Sequence, residues 1–323
     1  MKQLTLLVVA AALAWSGFWL WSQQARHAAV ADWVEERRLD GWDIEIGAAS
    51  VRGFPNRLDT TLDTLRISDP QSGMTWEAPF VQILELVYNP GHVILVFPPR
   101  QVLSQGRDGV EIESEGLRAS AVFEGAALDR FNLEATLVNL SGDSLAVALA
   151  GLNAGVARVP AEEPRYRLAL AVDAIAGDGQ RPLAGSDRID ALVAQAEVVF
   201  DRAWEGTGLE PPRPQPTRID LRQATYRVDD LELALASDVT IDAQGRATGS
   251  LAVRAANWRT ALEGGGLADA LPAEVIAAIE DGLGLLAQLS GNPDTLDLTI
   301  TLREGKTAIG IIPLGDAPRL TIP

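Results

Sequence analysis

The chain has 323 residues, 47% of them apolar, with a formal net charge of −17 and an isoelectric point near 4.5. So large an apolar share excludes disorder of the chain as a whole, and so acidic a surface repels phosphate backbones, which argues against nucleic acid as a partner. Cysteine is absent, which excludes disulfides, thiolate metal sites and cysteine nucleophiles.

The first element is an apolar run, Leu4 to Trp21, with no charged residue. As a helix it is about 27 Å long, close to the hydrocarbon thickness of a bilayer. Trp15, Trp19 and Trp21 gather toward its C-terminal end, where indole rings favour the membrane interface. The alternative is a cleaved signal peptide. The run exceeds the usual apolar region of such peptides, although His27-Ala28-Ala29 offers small residues to a peptidase. Lys2 on the short side and Arg26 beyond the helix give only a slight charge asymmetry. A short N-terminal tail before a long acidic body predicts N-in, C-out, so that the body lies in the periplasm of a Gram-negative cell.

Ala28 to Leu39 reads as a short helix, with Val30, Trp33, Val34 and Arg37 on one face. From Gly41 onward the pattern changes to alternation. Phe131, Leu133, Ala135 and Leu137 alternate with polar residues, as do Tyr166 to Val172 and Leu296 to Leu302. Side chains at period two point to opposite faces of a sheet, so each run predicts a half-buried antiparallel strand. Asn89-Pro90-Gly91, Ser141-Gly142-Asp143, Ala243-Gln244-Gly245 and Glu304-Gly305 read as turns between them. Asp187 to Asp201 fits either a helix or a strand; the strand reading is preferred from Ala191 on. Near the end, Asn257 opens a short helix and Pro272 a longer one, with Val275, Ile276, Ile279, Leu283 and Leu286 as its stripe.

The expected fold is therefore mainly β: a transmembrane helix, then a long antiparallel meander or curved sheets, as a sandwich or an open groove, with one or two C-terminal helices. Residues 1–26 are read as the anchor and 27–204 as an N-terminal β-rich half. Residues 205–217, with four prolines between Pro211 and Pro216, are read as a stiff linker or loop. Residues 218–323 form a C-terminal β-rich half with helices near 257–263 and 272–290.

Chemistry is sparse. The two histidines are His27, at the membrane edge, and His92, after Tyr88-Asn89-Pro90-Gly91. They form no His-x-x-x-His pair, and the sequence carries no P-loop, nucleophile elbow or dinucleotide-binding glycine pattern. The expectation is a non-enzyme with no catalytic residue, no metal site and no cofactor. A hydrolase that uses scattered Asp and Glu is a further reading, since spacing along the chain does not constrain such a site.

Two patches carry more. One contains Gly41-Trp42, then Val51-Arg52-Gly53-Phe54-Pro55-Asn56-Arg57, then Trp76-Glu77-Ala78-Pro79, then Tyr88-Asn89-Pro90-Gly91-His92. The other runs from Leu302 through Gly305-Lys306 to Gly310-Ile311-Ile312-Pro313-Leu314-Gly315. With the anchor, they resemble the DUF2125 family of uncharacterised envelope proteins, found mainly in alphaproteobacteria. Asn56 departs from the aromatic or apolar residue usual after Gly-Phe-Pro. The resemblance brings no activity and no catalytic residues. It marks Gly53, Phe54, Pro55, Trp76, Pro79, Tyr88, Asn89, Pro90 and His92 as motif positions with structural roles: a tight bend at Gly53-Phe54-Pro55 with Phe54 as a core plug, and Trp76 and Tyr88 in the core. Trp204 and Trp258 are core or lining residues. The layout is more distantly similar to AsmA-like proteins, thought to form β grooves for acyl chains or to act in outer-membrane assembly.

Two functions are thus in view. One is a periplasmic, membrane-anchored scaffold or interaction module with envelope proteins as partners. The other is an AsmA-like lipid-handling or outer-membrane assembly factor.

Overall fold

The computed structural model describes residues 1–70, 72–143, 145–177, 191–205, 213–228, 231–259, 284 and 294–322. The expected helices near 257–263 and 272–290, and the middle of the proline-rich segment, lie outside these residues, apart from Asn257 to Arg259 and Gly284.

The two helical segments expected at the N-terminus are one uninterrupted helix, α1 (Lys2–Leu39). Its alanine-rich sequence contains no proline, and the polar residues from Ser22 to Arg26 are good enough helix formers to carry it across the change in polarity. It ends in a Schellman arrangement: the Trp42 N–H donates to Arg37 O at 3.0 Å and the Gly41 N–H to Arg38 O at 3.0 Å. Gly41 takes the left-handed conformation (φ +90°) that this stop requires. Arg37 and Arg38 occupy the last turn, where cations meet the negative end of the helix dipole. Met1 to Trp15 are all exposed. Beyond them a stripe is covered at spacings of three and four: Ser16, Trp19, Gln23, Arg26, Val30, Val34 and Arg37.

Among the described residues the remainder is an antiparallel sheet of 18 strands, in two compact units. The first comprises Met1–Gly125, Asp129–Asn153 and Ile175–Leu183; the second Ala126–Leu128, Ala154–Ala174 and Ala184–Pro323.

In the first unit β1 (Asp43–Arg52), β2 (Asp59–Ser68) and β3 (Met74–Leu86) form a meander. β3 is long enough to serve two partners: β4 (Asn89–Val96) along its C-terminal half and β5 (Arg100–Gln105) along its N-terminal end. β5 continues to β6 (Asp108–Glu115), and β4 pairs with β7 (Arg118–Glu124). β6 pairs with the end of β8 (Ala127–Gly142). Leu65, Ala78 and Val81 form the core, packed by Ile46, Ile67, Trp76 and Phe97. Pro79 stands inside this sheet although it has no N–H to give. Its row is where the ladder is interrupted: Thr64, in the adjacent strand, has φ +53° and no register partner. A proline is tolerated where the ladder is already interrupted, because no hydrogen bond is lost there.

Asn89-Pro90-Gly91, expected as a turn, opens strand β4 instead. Chain reversal comes one step earlier, with Val87 and Tyr88 between the paired Leu86 and Asn89. The register is irregular from Leu86 to Val93, so the missing N–H of Pro90 breaks no ladder there.

β9 (Leu145–Val159) pairs with β10 (Arg165–Val172) and with β11 (Ala174–Gly177). In the second unit the order then runs β10, β12 (Leu192–Phe200), β13 (Pro216–Val228), β14 (Leu231–Ile241), β15 (Ala247–Ala256), β16 (Thr295–Arg303), β17 (Lys306–Ile309) and β18 (Ile312–Asp316). The preferred strand reading from Ala191 onward is thus observed as β12. Register keeps the alternation in phase across strands: Leu170, Ala194, Ala224, Leu235, Val253 and Leu298 form one row across the sheet. All six are half-buried. The opposite face is charged and cross-linked between strands by Arg218–Asp238 (2.8 Å), Arg222–Glu197 (2.8 Å) and Arg227–Glu232 (3.1 Å). Trp204 packs on a core of Tyr166, Val198 and Phe200, and Trp258 on Ala255 and Leu296.

Candidate functional site: the anchor helix and the Gly-Phe-Pro loop

The segment between β1 and β2 closes on itself through the Arg57 N–H, which donates to Gly53 O at 2.8 Å. The Phe54–Pro55 peptide is cis. Gly53 has φ +110°, and a Cβ there would lie 2.7 Å from Arg57 Cβ and 2.9 Å from Arg57 O. Only glycine fits so tight a bend. The end of β3 holds the loop from one side: Leu58 N–H donates to Glu85 O at 2.9 Å and Val87 N–H to Asn56 O at 3.0 Å. These bonds set Tyr88 beside the loop.

The other side of the loop is held by α1. The Trp15 indole N–H donates to Pro55 O at 2.9 Å, the Trp19 indole N–H to Arg57 O at 2.9 Å, and the Gln23 amide to Val51 O at 3.0 Å. The Trp19 ring meets Phe54 edge to face, with centroids 5.5 Å apart, and packs with Val51, Leu58 and Val87 in a small core. One turn further along α1, Arg26 pairs with Glu85, whose side chain is 3% exposed. Residues 15, 19, 23 and 26 are spaced so that one helix face makes all these contacts.

Of the nine motif positions, Gly53, Phe54, Pro55 and Tyr88 come together at this junction. The tight bend is present, but Phe54 is not a core plug: it is 57% exposed, and Tyr88, also expected in the core, is 64% exposed. Bonds from the backbone and from α1 already fix the loop, so its aromatic side chains are left pointing outward. Trp76 does pack on the first unit's core, donating its indole N–H to Gln101 at 3.1 Å. Pro79 sits in the interrupted row described above. Asn89 and Pro90 are exposed at the start of β4, and His92 Nε2 is hydrogen-bonded to Ser120 Oγ at 3.0 Å.

Sequence reasoning missed Glu85, Arg26 and Gln23. A signal existed, since Glu85 is the one charged residue between Glu77 and Arg100, and Arg26 is the first charge after the apolar run.

A recess of about 440 Å³ lies on the first unit's charged face between Glu45, Thr64, Arg66, Glu77, Pro79 and Arg100. Arg66 is paired with Asp43 at 2.9 Å and with Glu77 at 3.2 Å. Arg100 is paired with Glu111 at 2.7 Å and Glu113 at 2.6 Å. Hydrogen bonds to these carboxylates hold both guanidinium groups above their ordinary pKa. Both cations are thus already neutralised within the sheet. Among the described residues no group of three or more His, Asp or Glu is placed to hold a metal ion.

No curated protein and no solved structure matches the chain. The family model described as an uncharacterized protein conserved in bacteria matches residues 19–318, and its span takes in the junction loop, the sheet and the helix from Trp19 onward. The chain belongs to the DUF2125 family.

Proposed function

We propose that this protein is a non-catalytic scaffold or interaction module of the bacterial envelope, held in the inner membrane by α1 with its β body in the periplasm. The observation that carries this reading is the joining of α1 to the body through Trp15, Trp19, Gln23 and Arg26. An apolar N-terminal helix fits either an anchor or a signal sequence. Removal of this helix would take Trp19 out of a core and leave the Glu85 carboxylate buried without its cation, which is strongly unfavourable. A retained helix fixes the base of the body at the membrane and gives partners a surface in a set position. Fusions at the C-terminus test the placement: alkaline phosphatase is expected to be active there and a cytosolic fluorescent reporter dark. The reverse pattern overturns it.

A second reading is favoured by one observation, the row of half-buried apolar side chains across β10, β12, β13, β14, β15 and β16. An apolar sheet face is what a lipid-handling protein offers to acyl chains. Native mass spectrometry of the detergent-extracted full chain separates the two. Bound phospholipid favours lipid handling. A lipid-free chain that crosslinks to an envelope protein favours the scaffold.

A further inference from the structure

The free length of α1 is too short for a bilayer. The part of α1 exposed on every side ends at Trp15; beyond it Phe18, Leu20 and Trp21 are exposed while Ser16 and Trp19 are covered. Lys2 sets the first charged boundary, so the apolar stretch with no covered face is Leu4 to Ala14, roughly 16 Å at the α-helical rise. A hydrocarbon core of about 30 Å needs about 20 residues, and a tilted helix needs more. The missing length is supplied by Trp15 to Trp21 and the turn after them. Those are the residues to which the body is attached: Pro55 O is bonded to Trp15, Arg57 O to Trp19, and the Phe54 ring rests against Trp19. If Trp21 lies at the hydrocarbon boundary, Trp15 and Pro55 lie about 9 Å beneath it.

The loop is also built for such a place. Backbone groups without partners are costly in hydrocarbon, and here five carbonyls, those of Val51, Gly53, Pro55, Asn56 and Arg57, accept bonds from within the fold. Pro55 has no N–H. Arg57 N–H donates to Gly53 O, and Asn56 O accepts from Val87 N–H. Pro55 O, Arg57 O and Val51 O accept from side chains of α1. At the tip Phe54, Pro55 and Asn56 are exposed, and so is Tyr88, which follows the loop-bonded Val87. Arg52 is exposed at the end of β1, and Arg57, paired with Asp59 at 3.0 Å, is 52% exposed in its side chain. Both are placed where long cationic side chains reach headgroup phosphates.

We infer that the Gly53–Arg57 loop, with Tyr88 at its side, is a second membrane contact: an apolar wedge that enters the leaflet on the body's side next to α1. The body is thereby fixed to the bilayer at two points, which sets its orientation as well as its position.

The inference rests on α1 spanning a membrane, and the test separates the two. Because the chain has no cysteine, a nitroxide can be placed at one residue at a time in the full chain. The sites are Phe54→Cys, Asn56→Cys, Leu7→Cys on the free helix and Met74→Cys at the other end of β3, with the protein in vesicles of phosphatidylethanolamine and phosphatidylglycerol. Accessibility to oxygen is compared with accessibility to a water-soluble nickel complex. The oxygen-to-nickel ratio at residues 54 and 56 is expected to be severalfold that at residue 74, placing the label below the phosphate plane. Asn56→Cys keeps the Phe54–Trp19 contact, so it reads the same depth if the Phe54 variant loosens the loop. A ratio at 54 and 56 equal to that at 74, with residue 7 in lipid, overturns the wedge and leaves the anchor. Water exposure at residue 7 overturns both.

Discussion

At Gly53 the backbone needs a conformation and a clearance that no other residue supplies. Gly53→Ala would set a Cβ 2.7 Å from Arg57 Cβ at φ +110°. The strain expected is about 1–3 kcal/mol, seen as a drop of several degrees in the thermal unfolding of the detergent-solubilised chain. Glu85 is a different case, a charge rather than a shape. Its side chain is 3% exposed and that of Arg26 28%, so Glu85→Ala leaves a half-buried cation unpaired. The expected loss is about 3 kcal/mol, while replacement of both residues by methionine recovers most of it. Urea unfolding of the single and double variants measures the difference. Neither role shows in the sequence alone. Gly-Phe-Pro marks a bend, but the partner that makes glycine obligatory is Arg57, and the partner of Glu85 is 59 residues away in the chain.

Among the elements, the strands were the most legible. Alternation over Phe131 to Leu137, Tyr166 to Val172 and Leu296 to Leu302 falls within β8, β10 and β16, because one face meets apolar neighbours and the other carries cross-strand ion pairs. The hairpin of β14 and β15 shows the same local logic in its turn. Asp242 Oδ1 accepts from the backbone N–H groups of Gln244 and Arg246, both at 2.9 Å, and Oδ2 from the Arg246 guanidinium at 2.7 Å. The Arg246 N–H foremost, with those other donors and against desolvation, lowers the Asp242 pKa from its ordinary value. A carboxylate depressed on folding contributes stability above its unfolded pKa and loses it as pH falls through the folded value. Protection of the Gln244 and Arg246 amides, measured as exchange relative to the intrinsic rate at each pH, should therefore fall below about pH 4, and Asp242→Asn should remove that pH dependence. The strand start at Asn89 was not legible, because Asn-Pro-Gly is as good a local turn signal as any. Only the pairing of Leu86 with Asn89 moved the reversal to Val87 and Tyr88.

For the molecule as a whole, retention of α1 gives a direct expectation. The intact mass of the chain recovered from membranes should include residues 1–26, and the chain should resist carbonate extraction. A mass starting near Ala28 would mean cleavage at the His27-Ala28-Ala29 segment. Composition and pattern determined much by themselves: an acidic chain without cysteine, an apolar N-terminal helix, a body of antiparallel strands and membership in its family. These follow from local chemistry, since a period of two, an uncharged run and a motif order are all written along the chain. Tertiary structure decided the rest. It made the two helical segments one, turned Phe54 and Tyr88 outward, and brought Trp15, Trp19, Gln23 and Arg26 onto a loop and strand far along the sequence. Those choices depend on which backbone carbonyls and buried charges find partners across the fold, and no window of sequence holds both partners.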